Sequence, residues 1–156
     1  MILVECYPDT YLVKVMGFPR KSVAHEGGKG NVIKKLKNEK KQSIGIIDED
    51  PYSPDPRDIA NYFEKDSGAG IRLLQRGNDK RKQLVVITPY LESWLLNRAK
   101  VNGIKPETYN LPSDPEQLHR IPRIDKNRNF QEFIKQLVSQ DEGIKILKKW
   151  LRGAIS

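Results

Sequence analysis

The run Ser43-Ile44-Gly45-Ile46-Ile47-Asp48-Glu49-Asp50 sets the architecture of the chain. Its three isoleucines and small glycine form a short apolar stretch without polar alternation, the pattern of a strand buried on both faces in a parallel sheet. The stretch stops at three acids, and Pro51, Tyr52, Ser53 and Pro54 then bar its continuation as a central strand. Asp48 and Asp50 thus stand two residues apart at a strand's carboxyl end, where open α/β sheets carry their chemistry. Two carboxylates so placed favour a cation, and hard oxygen donors select Mg²⁺ or Mn²⁺. The alternative is a polar strand end that caps the next loop.

Upstream, Ile2 to Val4 reads as a strand closed by Glu5, with Cys6, Tyr7 and Pro8 following. Pro8 and Asp9 start a helix, since an early proline is tolerated and an acid in the first turn suits the dipole. Tyr11, Leu12, Val15 and Met16 share one helical face, and Gly17 stops the helix. Ser22 to His25 is a second strand. Gly27, Gly28, Lys29, Gly30 and Asn31 form a loop before a lysine-rich helix through Val32, Ile33 and Leu36 to about Glu39. The order β-α-β-α-β implies a parallel sheet with right-handed crossovers.

Downstream, Pro51–Pro56 reads as loop and Arg57 to Lys65 as a short helix carrying Ile59, Ala60, Tyr62 and Phe63. Ser67 to Gly70 break it. Ile71 to Gln75 and Leu84 to Thr88 are strands joined by a charged turn, Arg76 to Gln83, as a hairpin or close neighbours. A helix begins near Leu91 and ends near Gly103. Residues 1–103 make the sheet-and-helix core, 104–125 a proline-bearing loop with a turn at Glu116–His119, and 126–156 two amphipathic helices. The whole, 1–156, reads as one domain.

The 156 residues are 37% hydrophobic, and no apolar run approaches the roughly 20 residues needed to cross a bilayer. The start, Met1-Ile2-Leu3-Val4, predicts no secretory leader, and the single cysteine, Cys6, excludes an intrachain disulfide and suits a reducing cytoplasm. A net charge of +8, from 28 Lys+Arg against 20 Asp+Glu, favours polyanionic partners, although a basic surface also serves solubility alone.

Parallel neighbours bring Glu5, Asp48 and Asp50 to one sheet edge. Such a trio supports phosphoryl-transfer chemistry: the aspartates hold one or two divalent ions, and Glu5 completes the metal shell or shuttles a proton. Asp9 reads first as a helix cap and second as an extra acid. Glu92 either favours a helix start or faces the site from another strand end. Gly28, Lys29 and Gly30 precede a helix N-terminus and suit a substrate phosphate, but without the G-x-x-x-x-G-K-[ST] spacing no ATP site is expected. Lys34, Lys35, Lys37, Lys40 and Lys41 form either a phosphate track or a solvated helix face. His25 and His119 are lone histidines, expected to be structural. No histidine is spaced to activate Cys6.

Three segments, Val4-Glu5-Cys6-Tyr7-Pro8-Asp9, His25-Glu26-Gly27-Gly28-Lys29-Gly30-Asn31 and Ile46-Ile47-Asp48-Glu49-Asp50, together resemble the Toprim (topoisomerase–primase) domain. Thr88-Pro89-Tyr90-Leu91-Glu92-Ser93-Trp94 is similar to a segment of small stand-alone Toprim-like proteins. Where family members commonly carry Glu-Gly, this chain has Glu5 followed by Cys6 and Tyr7. The resemblance implies a Rossmann-like, mostly parallel sheet and a metal-dependent nuclease of DNA or RNA, with Glu5 as general acid/base and Asp48 and Asp50 as ligands. It also admits a non-catalytic nucleic-acid-binding or regulatory subunit working with a partner protein such as an ATPase. A phosphoacceptor receiver would want its acidic pair after the first strand, and a haloacid-dehalogenase-type phosphatase its D-x-D on the first strand. Neither pattern is met.

Overall fold

The computed structural model describes residues 1–50 and 52–155; Pro51, read above as loop, and Ser156 lie outside the described residues. Six strands form one mixed sheet: β1 (Ile2–Val4), β2 (Val23–His25), β3 (Ser43–Asp48), β4 (Tyr62–Gly68), β5 (Ile71–Arg76) and β6 (Asp79–Ile87). The spatial order is β2-β1-β3-β6-β5-β4; the first four run parallel, and β5 and β4 are added antiparallel. Six α-helices surround it: α1 (Tyr7–Val15), α2 (Lys29–Asn38), α3 (Leu91–Val101), α4 (Pro115–His119), α5 (Arg128–Gln140) and α6 (Glu142–Ile155). This is the α/β, mostly parallel sheet that the isoleucine run implies. None of the helices is long and apolar enough to cross a membrane among the described residues.

Period-two alternation divides the core between two faces. Ile2, Val4, Ile44, Ile46, Val85 and Ile87 point to the layer made by α1, α3, α5 and α6. Leu3, Ile47, Leu84 and Val86 point to the other side, where Val32, Ile33 and Leu36 of α2 cover them. Every residue of β3 before Asp48 is buried, as a central strand covered on both faces requires.

Gly45 lets α2 approach. A Cβ there would stand 2.7 Å from Val32 Cγ1 and 3.1 Å from Leu84 Cδ1. Both neighbours are buried and fixed by their own packing. Gly45→Ala is therefore expected to destabilise the protein by about 1–3 kcal/mol through overpacking. Denaturant unfolding checks this; an unchanged midpoint would show that the helix can retreat.

Two expectations are corrected. Arg57 to Lys65 is helical only in its first half: a 3₁₀ helix, Arg57–Asn61, leads into β4, where Tyr62 pairs with Arg76 and Phe63 with Gln75. The outer edge of β5 needs a hydrogen-bonding partner, and only Tyr62 of this edge strand is buried, so little apolar periodicity was available to identify it. Likewise Arg76 to Gln83 is mostly strand. Arg76 pairs with Asp79, which leaves Gly77 and Asn78 as the turn of the expected hairpin. Most of its charges are paired, Arg76 with Asp58 and both Arg81 and Lys82 with Asp79.

Candidate active site

The chain returns to the carboxyl edge of β1 and β3 with little freedom. Val4 lies beside Ile46, so Glu5 emerges next to the end of β3. There Glu5 Oε2 accepts a hydrogen bond from the Asp48 amide at 3.0 Å. Asp48 Oδ1 in turn accepts from the Leu91 amide at 3.0 Å, at the N-terminus of α3. The helix dipole favours a negative charge at that point.

Two further acids join them. Asp9, in the first turn of α1, is only 2% exposed. Its Oδ2 accepts from the Cys6 amide (3.1 Å) and thiol (2.9 Å), so it caps the helix as expected. Its Oδ1, however, is buried without a hydrogen-bond partner among the described residues. Glu92 is 4% exposed, and its Oε1 lies 3.1 Å from His119 Nδ1.

So many carboxylates so close resist ionisation. Burial, then the charges of Asp9, Glu5 and Glu92, push Asp48 up to about 9. Burial, opposed by the Cys6 thiol and reinforced by Glu5 and Glu92, pushes Asp9 up to about 7. Burial also raises Glu5, with the Asp48 amide pulling the other way. The Cys6 thiol is driven strongly upward by burial and by Asp9, so it is no nucleophile at neutral pH.

Asp50 lines the same cleft but is held differently. It adopts a left-handed backbone (φ 42°), its amide donates to the Pro89 carbonyl at 2.9 Å, and its Oδ1 accepts from the Tyr52 amide at 3.2 Å. Glu49 accepts from the Thr88 hydroxyl at 2.8 Å. Above Glu5, Asp48 and Asp50 opens a cleft of about 710 Å³ walled by Tyr52, Tyr90, His119 and Arg120.

The glycine loop reaches this edge too, because the Glu26 amide donates to the Val4 carbonyl at 2.9 Å. Neither Gly28 nor Gly30 would meet anything within 4 Å if it carried a Cβ, so packing alone does not demand glycine there. Lys29 is 7% exposed and its Nζ donates to the Glu49 carbonyl at 2.7 Å, with Asp55 at 3.4 Å. Here it braces the end of β3 from below. The lysines of α2 lie elsewhere: the helix leaves the edge at Lys29 and carries Lys37 about 12 Å along its axis, away from the cleft.

Among the described residues, no group of three or more His, Cys, Asp or Glu side chains is already gathered at metal-holding spacing. The donor chemistry nonetheless fits a hard divalent ion. Glu5, Asp9, Asp48 and Asp50 offer only carboxylate oxygens, and one of them, Asp9 Oδ1, is buried and unpartnered. The structure brings the sequence candidates Glu5, Asp48 and Asp50 to one cleft and buries the secondary candidates Asp9 and Glu92, while the walls carried no expectation of a role in the site. Tyr52 and Tyr90, adjoining the acids, were the available signal; nothing local marked His119 or Arg120. Comparison with protein-family models, curated proteins and solved structures finds no match for this chain.

Proposed function

We propose that this chain is a Toprim-like, divalent-metal-dependent phosphodiesterase acting on nucleic acid. The observation that carries the reading is the buried acid cluster at the carboxyl edge of β1 and β3, where Glu5, Asp9 and Asp48 crowd together and Asp9 Oδ1 has no hydrogen-bond partner among the described residues. Glu5, Asp48 and Asp50, with Asp9 behind them, would hold Mg²⁺ or Mn²⁺. That ion would supply charge neutralisation and water activation.

The chain's own groups do the remainder. The Asp48 amide fixes one oxygen of Glu5, and the other oxygen can accept a proton from an attacking water. The Leu91 amide orients Asp48. Arg120, on the cleft wall and 3.7 Å from Glu116, would exchange that exposed pair for a phosphate oxygen. The +8 charge draws a polyanion to a cleft whose floor is acidic.

Incubation of the purified protein with Mn²⁺ and end-labelled DNA and RNA tests this. Cleavage is expected, and Asp48→Asn should lower it by at least about a hundredfold while retaining the circular dichroism of the fold. No cleavage of any substrate, together with calorimetry detecting no Asp48-dependent Mn²⁺ binding, would sink the proposal. Metal binding without cleavage would instead support the regulatory-subunit reading.

A further inference from the structure

Beside the acid cleft the surface continues as two more depressions, joined to it by shared walls. His119 and Arg120 separate the cleft from a depression of about 270 Å³ beneath Arg123. Tyr7 separates that one from a groove of about 630 Å³ running between α1 and the edge strand β2. Tyr7, Thr10 and Lys14 line this groove at i, i+3 and i+7, one face of α1, with Arg20 and His25 opposite.

The partition at Tyr7 is a three-layer stack. The Arg123 guanidinium lies 3.7 Å from the centre of the Tyr7 ring. The His25 ring is 4.2 Å away and nearly parallel, at 7°. Beyond the stack, Lys14 and Arg20 are exposed and form no ion pair among the described residues. Tyr52, which also lines the acid cleft, is 96% exposed, an aromatic ring presented to solvent.

We infer that this line of depressions is a path for single-stranded nucleic acid. The strand would run from Tyr52 across the acid cleft, past the Arg123–Tyr7–His25 stack, and into the Lys14–Arg20 groove. The inference deepens the phosphodiesterase reading and rests on it. Unpaired bases stack on aromatic rings and on guanidinium planes, whereas bases in a duplex have their faces covered. Unpaired cations following such platforms, Lys14 and Arg20 here, match a backbone followed phosphate by phosphate. A rigid duplex would instead require a broad basic face, and the lysines that might form one, on α2, lie away from the cleft.

Fluorescence anisotropy in EDTA, with a labelled oligonucleotide offered as a single strand and as a duplex, tests the path without cleavage. The single strand is expected to bind more tightly. Lys14→Gln/Arg20→Gln should weaken it and lower the log–log salt slope by about 1.4, two contacts at roughly 0.7 each. His25→Ala, which removes the exposed ring at the end of the stack, should weaken it by roughly tenfold. Lys34→Gln/Lys35→Gln, which removes the same charge from exposed positions of α2, should leave it unchanged.

Tighter duplex binding, or an equal loss in both glutamine pairs, overturns the path. So does an unaltered affinity in Lys14→Gln/Arg20→Gln. If Asp48-dependent Mn²⁺ cleavage persists in those cases, the phosphodiesterase reading survives without this path; if cleavage is absent as well, both fall.

Discussion

Asp48→Asn is expected to make the metal-free protein more stable at pH 8, not less. In the fold, burial and the neighbouring acids carry the Asp48 carboxyl from an ordinary 3.8 to about 9, and Asp9 from 3.8 to about 7. A group whose folded value is raised supports the fold while it is protonated. Its contribution is complete below about 4 and drains away as pH climbs through the folded values. The metal-free wild type should therefore lose thermal stability between pH 5 and pH 9. Asparagine keeps an oxygen for the Leu91 amide and has no charge to bury. At pH 8 the variant should gain about 2 kcal/mol or more, a rise of roughly 4–8 °C in Tm, and its decline with pH should be shallower. Excess Mg²⁺ or Mn²⁺ should stabilise the wild type at pH 8 and leave the variant nearly unmoved. Scanning calorimetry across pH, with and without EDTA, reads all of this. A variant less stable than the wild type at pH 8 in EDTA would show that the cluster is not electrostatically frustrated.

Arg98→Ala should produce the largest loss of stability, far from the cleft. Asp141 joins α5 to α6 and is fully buried. Arg98 of α3 holds it through Nε, 3.0 Å from each carboxylate oxygen, and through a second guanidinium nitrogen 2.8 Å from Oδ1. Asn102 Nδ2 and the Ile144 amide complete the set at 2.7 and 2.9 Å. Burial alone would raise the Asp141 carboxyl, but the Arg98, Asn102 and Ile144 donors outweigh it and leave the group below the usual carboxylate range. Removing Arg98 strands a charge in the core, at an expected cost of about 3–5 kcal/mol. Urea unfolding should show it, and Arg98→Lys should recover part of the loss by restoring a point charge without the fork. A loss below 1 kcal/mol would mean that the two neutral donors suffice.

The parallel half of the sheet was legible because its signals are local. Ile2–Val4 and Ile44–Ile47 are apolar runs, Pro8 and Gly17 bracket α1, and parallel neighbours then require Glu5 and Asp48 to meet. The β4 edge was not legible. Only Tyr62 turns inward there, and Phe63, Glu64 and Lys65 present no period to distinguish strand from helix. Asp9 shows a different limit. An acid in a helix's first turn looks the same in sequence whether it caps in solvent or is sealed among other carboxylates, and only the tertiary packing that buries Asp9 decides. Lys29 was similarly opaque, since nothing local in a glycine-rich loop announces that its Nζ donates to the Glu49 carbonyl. His119 and Arg120 come from a proline-bearing segment that becomes a wall because Leu118 is buried beside them.

The acid cluster straddles the seam between β3 and β6. Glu5, Asp9 and Asp48 belong to the first 48 residues, whereas the Leu91 amide and Glu92 arrive after β6. A chain divided within residues 52–56 would leave four acids, Asp50 included, on one fragment and their helix terminus, with most of the cleft wall, on the other. Neither fragment alone carries the site. It is a shared property of two halves, present only while β3 and β6 stay zipped together.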